Sequence, residues 1–210
     1  MSVIARNFLR KAKPKKPLDE FVSESVTWGE LLASDIAERD DEMRTSQIIP
    51  PDQVIENLQF VANNIVDVVR REFGRVRVVA GYRCPKLQDM VRAPRGSAIT
   101  KGLGVELAVD KLEDVRRGIA EDVLSEIPQG KVMKVSPSWY LAMWLMKRVE
   151  SLPIESIGVD GGDKGMPTWI TVSAHPEKTR QRGAITACGP WTNGETVKLH
   201  PVDLRNLGVL

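Results

Sequence analysis

Apolar residues recur at helical spacing most clearly at Ile55, Leu58, Val61, Ala62, Ile65, Val68 and Val69, and the run reaches Phe73. This three- and four-residue period predicts one long amphipathic helix over 54–73. Asp52 is placed to cap it after the loop closed by Pro50 and Pro51, and Gly74 to end it. A shorter helix is predicted from Thr27 to Ala37, because Thr27 and Glu30 form a Thr-x-x-Glu capping box. Arg75 and Arg77 alternate with Val76 and Val78, which predicts a strand from Arg75 to Ala80. A second strand is predicted from Gly102 to Val109, with Leu103, Val105, Leu107 and Val109 on one face. Leu112 to Ile127 reads as an amphipathic helix and Lys131 to Val135 as a short strand. Ser136 and Pro137 open a further helix, cap then first-turn proline, which runs through Trp139, Met143, Leu145, Met146 and Val149. Ile154 to Val159 and Thr168 to Ala174 are the last predicted strands, and the Gly-rich link at 160–167 favours pairing them antiparallel.

Interspersed helices and strands of this kind predict an α+β fold, one antiparallel sheet with packed helices. Residues 175–210 lack a clear period and are rich in Gly, Pro, Thr and Asn. Trp191, Val197, Leu199, Leu204, Leu207 and Leu210 are nevertheless too apolar for a linker, so this segment is expected to pack on its own domain or on a neighbouring subunit.

Composition narrows the function classes. The chain has 210 residues, 42% hydrophobic and 28% charged, enough for one sizeable core. Its formal net charge of +2 gives no global argument for nucleic acid. No apolar run approaches the ~20 residues that span a bilayer. The first residues lack the apolar core of a secretory signal, so synthesis and folding in the cytoplasm are expected. Charge is uneven at the start. Residues 1–16 carry Arg6, Arg10, Lys11, Lys13, Lys15 and Lys16 without an acid, and the next segment is rich in acids such as Asp19, Glu20, Glu24 and Asp40. Such a basic arm suits nucleic acid, a membrane surface or an acidic partner surface, or equally a solvated, disordered terminus, and the adjacent acids weaken the case for nucleic acid. Cys84 and Cys188 lack the close spacing of a zinc knuckle or redox pair and are expected as separate reduced thiols.

The segment with candidate chemistry reads Ala80, Gly81, Tyr82, Arg83, then Ser97, Ile99, Gly102 and Glu106, then Trp169, Ile170 and Thr171. It resembles the zinc D-Ala-D-Ala carboxypeptidases and related bacteriophage endolysins. Their pattern is Ser-Gly-Tyr-Arg, then Ser-x-His-x-x-Gly-x-x-x-Asp, then a late aromatic-aliphatic-His strand. The resemblance covers residues 25–174, since Trp28 to Leu31, the proline turn and the 54–73 helix also look like the N-terminal part of phage-type members. It implies a DD-peptidase-like domain at 25–174, a basic N-terminal arm at 1–24 and a C-terminal arm at 175–210.

At the three ligand positions the resemblance puts Ile99 for the first His, Glu106 for the Asp and Thr171 for the late His. A catalytic zinc needs three protein ligands and an open position for water. An isoleucine has no lone pair to give, and a threonine hydroxyl is a weak donor. One carboxylate neither holds zinc firmly nor lowers the pKa of its water towards ~7. The chain has only two histidines, His175 and His200. On a continuing strand His175 lies roughly 13 Å beyond Thr171, at ~3.3 Å per residue. No catalytic residue, metal or cofactor is therefore expected. The family's Arg contributes to binding the substrate carboxylate, so Tyr82 and Arg83 are the candidates for residual binding. Without a metal, a structural role for Arg83, satisfying backbone carbonyls around its turn, is the favoured alternative. Glu106, Asp110 and Asp160 are further acid–base candidates only if they pair in space.

Three functions stay open on these residues. The first is a non-catalytic structural protein, a pseudoenzyme in a bacteriophage virion (tail, baseplate, neck or capsid-associated), made in the host cytoplasm. Its arms would contact other virion proteins, with self-association as a further mode and no membrane partner. The second is a divergent zinc peptidoglycan peptidase with a rebuilt metal site. The third is a module that binds cell-wall peptides without cutting them.

Overall fold

The capping box read from Thr27 and Glu30 is formed, with Glu30 N donating to Thr27 Oγ1 (3.3 Å) and Thr27 N donating to Glu30 Oε2 (3.0 Å). Both bonds satisfy donors that a helix start leaves open. The helix they start, α1 (Trp28–Leu32), stops well short of the expected Ala37. Its last carbonyls are taken by tertiary donors: Tyr82 N bonds Leu31 O at 2.9 Å, and Gln47 Nε2 bonds Leu32 O at 3.0 Å. Ala33 then turns extended, and a 3-10 turn follows at Ala37–Arg39. The computed structural model describes residues 16–94, 96–119, 121, 136–149, 151–160, 168–177, 184–188 and 197–199, without the side chains of 160, 184–188 and 197–199.

Helix α2 (Asp41–Ile48) has no counterpart among the elements expected from periodicity. Asp40 caps it by accepting from Met43 N at 2.7 Å, and Asp41 and Glu42 place negative charge at its positive end. The long amphipathic run forms α3 (Asp52–Val61) and α4 (Asp67–Glu72), joined by a π turn at Ala62–Val66. Two consecutive asparagines account for the turn. Asn63 Nδ2 donates to Gln59 O at 2.7 Å and Asn64 Nδ2 to Phe60 O at 2.9 Å. The side-chain amides thus compete for carbonyls that the regular ladder would use, and the helix widens. Asp67, just beyond, is buried and accepts from Ser23 Oγ, Ser25 Oγ and the Glu24 and Ser25 amides, tying the preceding chain to the helix.

The sheet comprises β1 (Arg77–Ala80), β2 (Gly104–Ala108), β3 (Ile154–Asp160), β4 (Ile170–Ala174), β5 (Ala184–Cys188) and β6 (Val197–Leu199), in the order β1-β2-β4-β3-β5-β6. The first four are mutually antiparallel, which gives the expected α+β arrangement. β3 and β5 pair in parallel, so the complete sheet is mixed. β5 and β6 come from within 175–210 and extend the sheet through β3. The helix expected from Leu112 does not start there. Leu112–Asp114 is a 3-10 turn, Val115 bridges to Gly74, and helical residues begin at 117. The expected strand at Lys131–Val135 lies outside the described residues.

Two helices follow the remaining turns: α5 (Pro85–Met90) after β1, and α6 (Pro137–Met146), started by Ser136 Oγ accepting from Trp139 N. Every residue of α6 from Ser138 to Met146 is buried. A helix apolar on all sides belongs inside a core, and α6 lies against β2, β3 and β4. One hydrophobic cluster joins α1, α3, α4 and α6 to the sheet face carrying Val105, Leu107, Ile157, Val159, Ile170 and Val172. Within it Phe73 meets Trp144 edge-on, ring centroids 5.7 Å apart, and the Arg148 guanidinium stacks 4.1 Å above the Trp144 ring. Among the described residues no helix is long and apolar enough to cross a membrane.

Candidate functional site

The opposite face of the sheet carries the positions singled out in the sequence. Cross-strand pairing aligns Ala80 with Glu106, Glu106 with Thr171, and Thr171 with Gly158. Directly opposed residues project to one face, so Glu106 and Thr171 are neighbours there. Gly104, two residues before Glu106, faces the same way. A Cβ on Gly104 would stand 2.9 Å from Ile99 Cγ1 and 2.8 Å from Ile99 N, which places Ile99 over this row. The three frame positions Ile99, Glu106 and Thr171 are therefore brought onto one face of the fold.

Local chemistry explains why Ile99 sits there. Ser97 caps the 3-10 turn Ala98–Lys101, its Oγ accepting from Ile99 N. Gly102 ends the turn in the left-handed region at φ 71°, and a Cβ there would stand 2.7 Å from Val54 O. No other residue meets both demands without strain. Ile99 is then 2% exposed and contributes packing.

Glu106 is buried, 6% exposed, in the middle of the sheet. Its carboxylate accepts from Arg83 Nη2 at 2.5 Å, and the Arg83 side chain is itself 19% exposed. A buried carboxylate needs such a partner, because leaving it unpaired is strongly unfavourable. The turn that delivers Arg83 is held by a residue periodicity did not reveal. Gln47 Nε2 donates to Tyr82 O at 2.7 Å while Gln47 Oε1 accepts from Cys84 N at 2.9 Å. Gln47 thus satisfies backbone groups on both sides of Arg83 and leaves the guanidinium for Glu106. The cap at Asp40 and the acids after it are the signals that reveal the helix carrying Gln47. Gly81 is required on steric grounds, since a Cβ would lie 2.6 Å from Leu31 Cδ2 and 2.9 Å from Leu31 Cα. Tyr82 is buried, and its hydroxyl pKa is pushed up to about 12, first by burial and then by the charge of Cys84.

These residues do not fit a zinc ion. Ile99 offers no donor atom and Thr171 a neutral hydroxyl. Glu106 is paired with a guanidinium whose positive charge opposes a dication at the same carboxylate. Among the described residues no group of three or more His, Cys, Asp or Glu side chains is placed to hold a metal. His175 follows the end of β4, its Nδ1 accepting from Glu177 N at 3.2 Å. Four residues separate it from Thr171, roughly 13 Å along an extended chain. His200 and the side chains of Cys188 and Asp160 lie outside the described residues. The Cys84 thiol is buried and free, with Sγ 3.7 Å from Met43 O. Asp110 does not join Glu106, being held by its own fork from Arg77, Nη2 to Oδ1 at 2.8 Å and Nε to Oδ2 at 3.1 Å.

The arrangement is a buried ion pair flanked by an aliphatic side chain and an alcohol. No protein-family model, curated protein or solved structure matches the chain.

Proposed function

We propose that this protein is a non-catalytic structural protein built on a degenerate DD-peptidase-like scaffold, and a component of a bacteriophage virion. The observation that carries the non-catalytic part is the Arg83–Glu106 pair. At the one frame position that keeps a carboxylate, the carboxylate is neutralised by the protein's own arginine. The same arginine is the group that the resemblance assigns to a substrate carboxylate, so one contact occupies the metal-side and the substrate-side residue together. Partner contacts are assigned to the two ends of the chain: to the basic residues at the start of segment 1–24, whose Val22 joins the core, and to segment 175–210 outside β5 and β6, which join the sheet. Extended segments bury much surface per residue when they order on a neighbour.

The test has two arms. Purified particles from the lysate are inventoried by quantitative mass spectrometry, and the isolated protein is incubated with purified peptidoglycan in the presence of zinc. The proposal expects the chain in mature particles at a fixed ratio to the other structural proteins, with no release of wall peptides. Absence from mature particles removes the virion assignment. Chelator-sensitive release of wall peptides removes the non-catalytic one.

A further inference from the structure

A cavity of about 400 Å³ opens between α1, α4, the start of β1 and the end of β2 with the residues just after it. We propose that it binds a phosphate-type oxyanion, a site independent of the assembly reading above. Its walls bring together the cations Arg70, Arg75, Arg77 and Lys111 and the carboxylates Glu30, Asp110 and Asp114, four positive charges against three negative.

The excess is concentrated in donors that no carboxylate among the described residues takes up. Arg70 is consumed: its Nε donates to Val76 O at 3.0 Å, and its terminal nitrogens bond Ser25 O and Glu30. Arg77 is fixed but not exhausted. Its fork to Asp110 uses Nε and Nη2, and a guanidinium has five N–H donors in one plane. Among the described residues the other three have no partner, on a side chain already held by Asp110. Arg75 and Lys111 form no ion pair with a carboxylate among the described residues, and both are exposed. Two cations that form no ion pair among the described residues thus flank the Arg77 guanidinium over a floor of Val76 and Ala108. A planar arginine fork matches the geometry of phosphate oxygens.

The hydrogen bond from Arg77 holds the Asp110 carboxyl below its usual range; desolvation opposes it, and the individually smaller fields of Arg77, Arg75 and Lys111 act in the same direction as the hydrogen bond. Burial raises Glu30, yet Arg70 and the Thr27 contacts outweigh it and hold Glu30 low as well. Both are lowered chiefly by a hydrogen bond from the arginine each is paired with, and a third carboxylate, Asp114, lines the same space. The volume exceeds that of a bare phosphate and leaves room for the remainder of a phosphomonoester.

The experiment titrates the full chain at low ionic strength with inorganic phosphate, with O-phosphoserine, and with sodium chloride at matched ionic strength, and reads heat and amide shifts. The double variant R75A/K111A removes these two cations without breaking an ion pair among the described residues, and a parent-like melting profile certifies its fold. Saturable binding of either phosphate probe, weakened about tenfold or more in the double variant, supports the site. Tighter binding of phosphoserine assigns it to esters, and equal or tighter binding of phosphate assigns it to the free ion. A response that chloride reproduces, or that the double variant retains in full, overturns the proposal.

Discussion

Replacing Arg83 by methionine keeps a long apolar stem in place and removes only the charged head. Glu106, 6% exposed, would then keep a buried carboxylate that has lost the Arg83 guanidinium. Removing one partner of a buried pair destabilises by ~3–5 kcal/mol, and the partial exposure of Arg83 places R83M near the lower end. In a chain of this size each kcal/mol moves the midpoint by ~2–4 °C, so R83M is expected to melt about 6–12 °C lower. E106Q leaves a neutral amide that still accepts from Arg83, with an expected loss of about 1–2 kcal/mol. In R83M/E106Q no buried charge is stranded, so the double variant recovers much of what R83M alone loses. Urea denaturation followed by tryptophan fluorescence measures all four corners of the cycle. A loss below ~0.5 kcal/mol in R83M, or strict additivity of the two substitutions, would refute the reasoning. Arg83 would then be a screened side chain free to bind a ligand.

G81A places a methyl group 2.6 Å from Leu31 Cδ2 and 2.9 Å from its Cα. It is expected to destabilise by about 1–3 kcal/mol in the same denaturation assay, and a neutral result contradicts the close approach of α1 to the turn. Glu30 has a lowered folded pKa, because Arg70 and the Thr27 contacts outweigh its burial. Its contribution is present above the unfolded value of 4.5 and is lost as pH falls through the folded value. E30Q should therefore show a shallower decline of melting temperature below about pH 4.5 than the parent, and parallel curves would exclude this linkage. Tyr82 is raised to about 12 and Tyr140 is raised by burial, so neither of the chain's two tyrosines should ionise near pH 10 in the folded protein. The stability they contribute is present below the unfolded value of ~10 and fades as pH rises through the folded values. Absorbance at 295 nm that titrates near pH 10 while far-ultraviolet dichroism is unchanged would contradict their burial.

The parts of the fold legible in the sequence are those set by local rules. The Thr27–Glu30 box, the Ser136–Pro137 helix start and the strands that became β1 to β4 depend on residues a few positions apart. What escaped depends on distant partners. Helix α1 ended early because Tyr82 and Gln47 took its carbonyls. The long helix contains a π turn because Asn63 and Asn64 bond backwards, a choice that hydrophobic spacing does not report. Segment 175–210 showed no period, yet β5 and β6 add to the sheet, since the run at 184–188 has no polar–apolar alternation to announce it.

The candidate site divides in the same way. The spacing of Ile99, Glu106 and Thr171 anticipated positions that the sheet register brings to one face. The partner of Glu106 was not legible, because the chain that carries Arg83 is aimed by Gln47, 36 residues upstream on an unforeseen helix. The charged cavity was visible only as the Arg75–Arg77 alternation of a strand. Asp110 and Lys111 lie in the link between the expected strand and the helix expected from Leu112, where a 3-10 turn forms instead.

The most direct test of the central claim is elemental quantification of zinc in protein purified without chelators and dialysed against buffer containing zinc. With an ion pair, an aliphatic side chain and a hydroxyl at the three frame positions, the metal should stay far below one equivalent. About one tightly held equivalent, lost in a Glu106→Ala variant that still folds, would contradict the account.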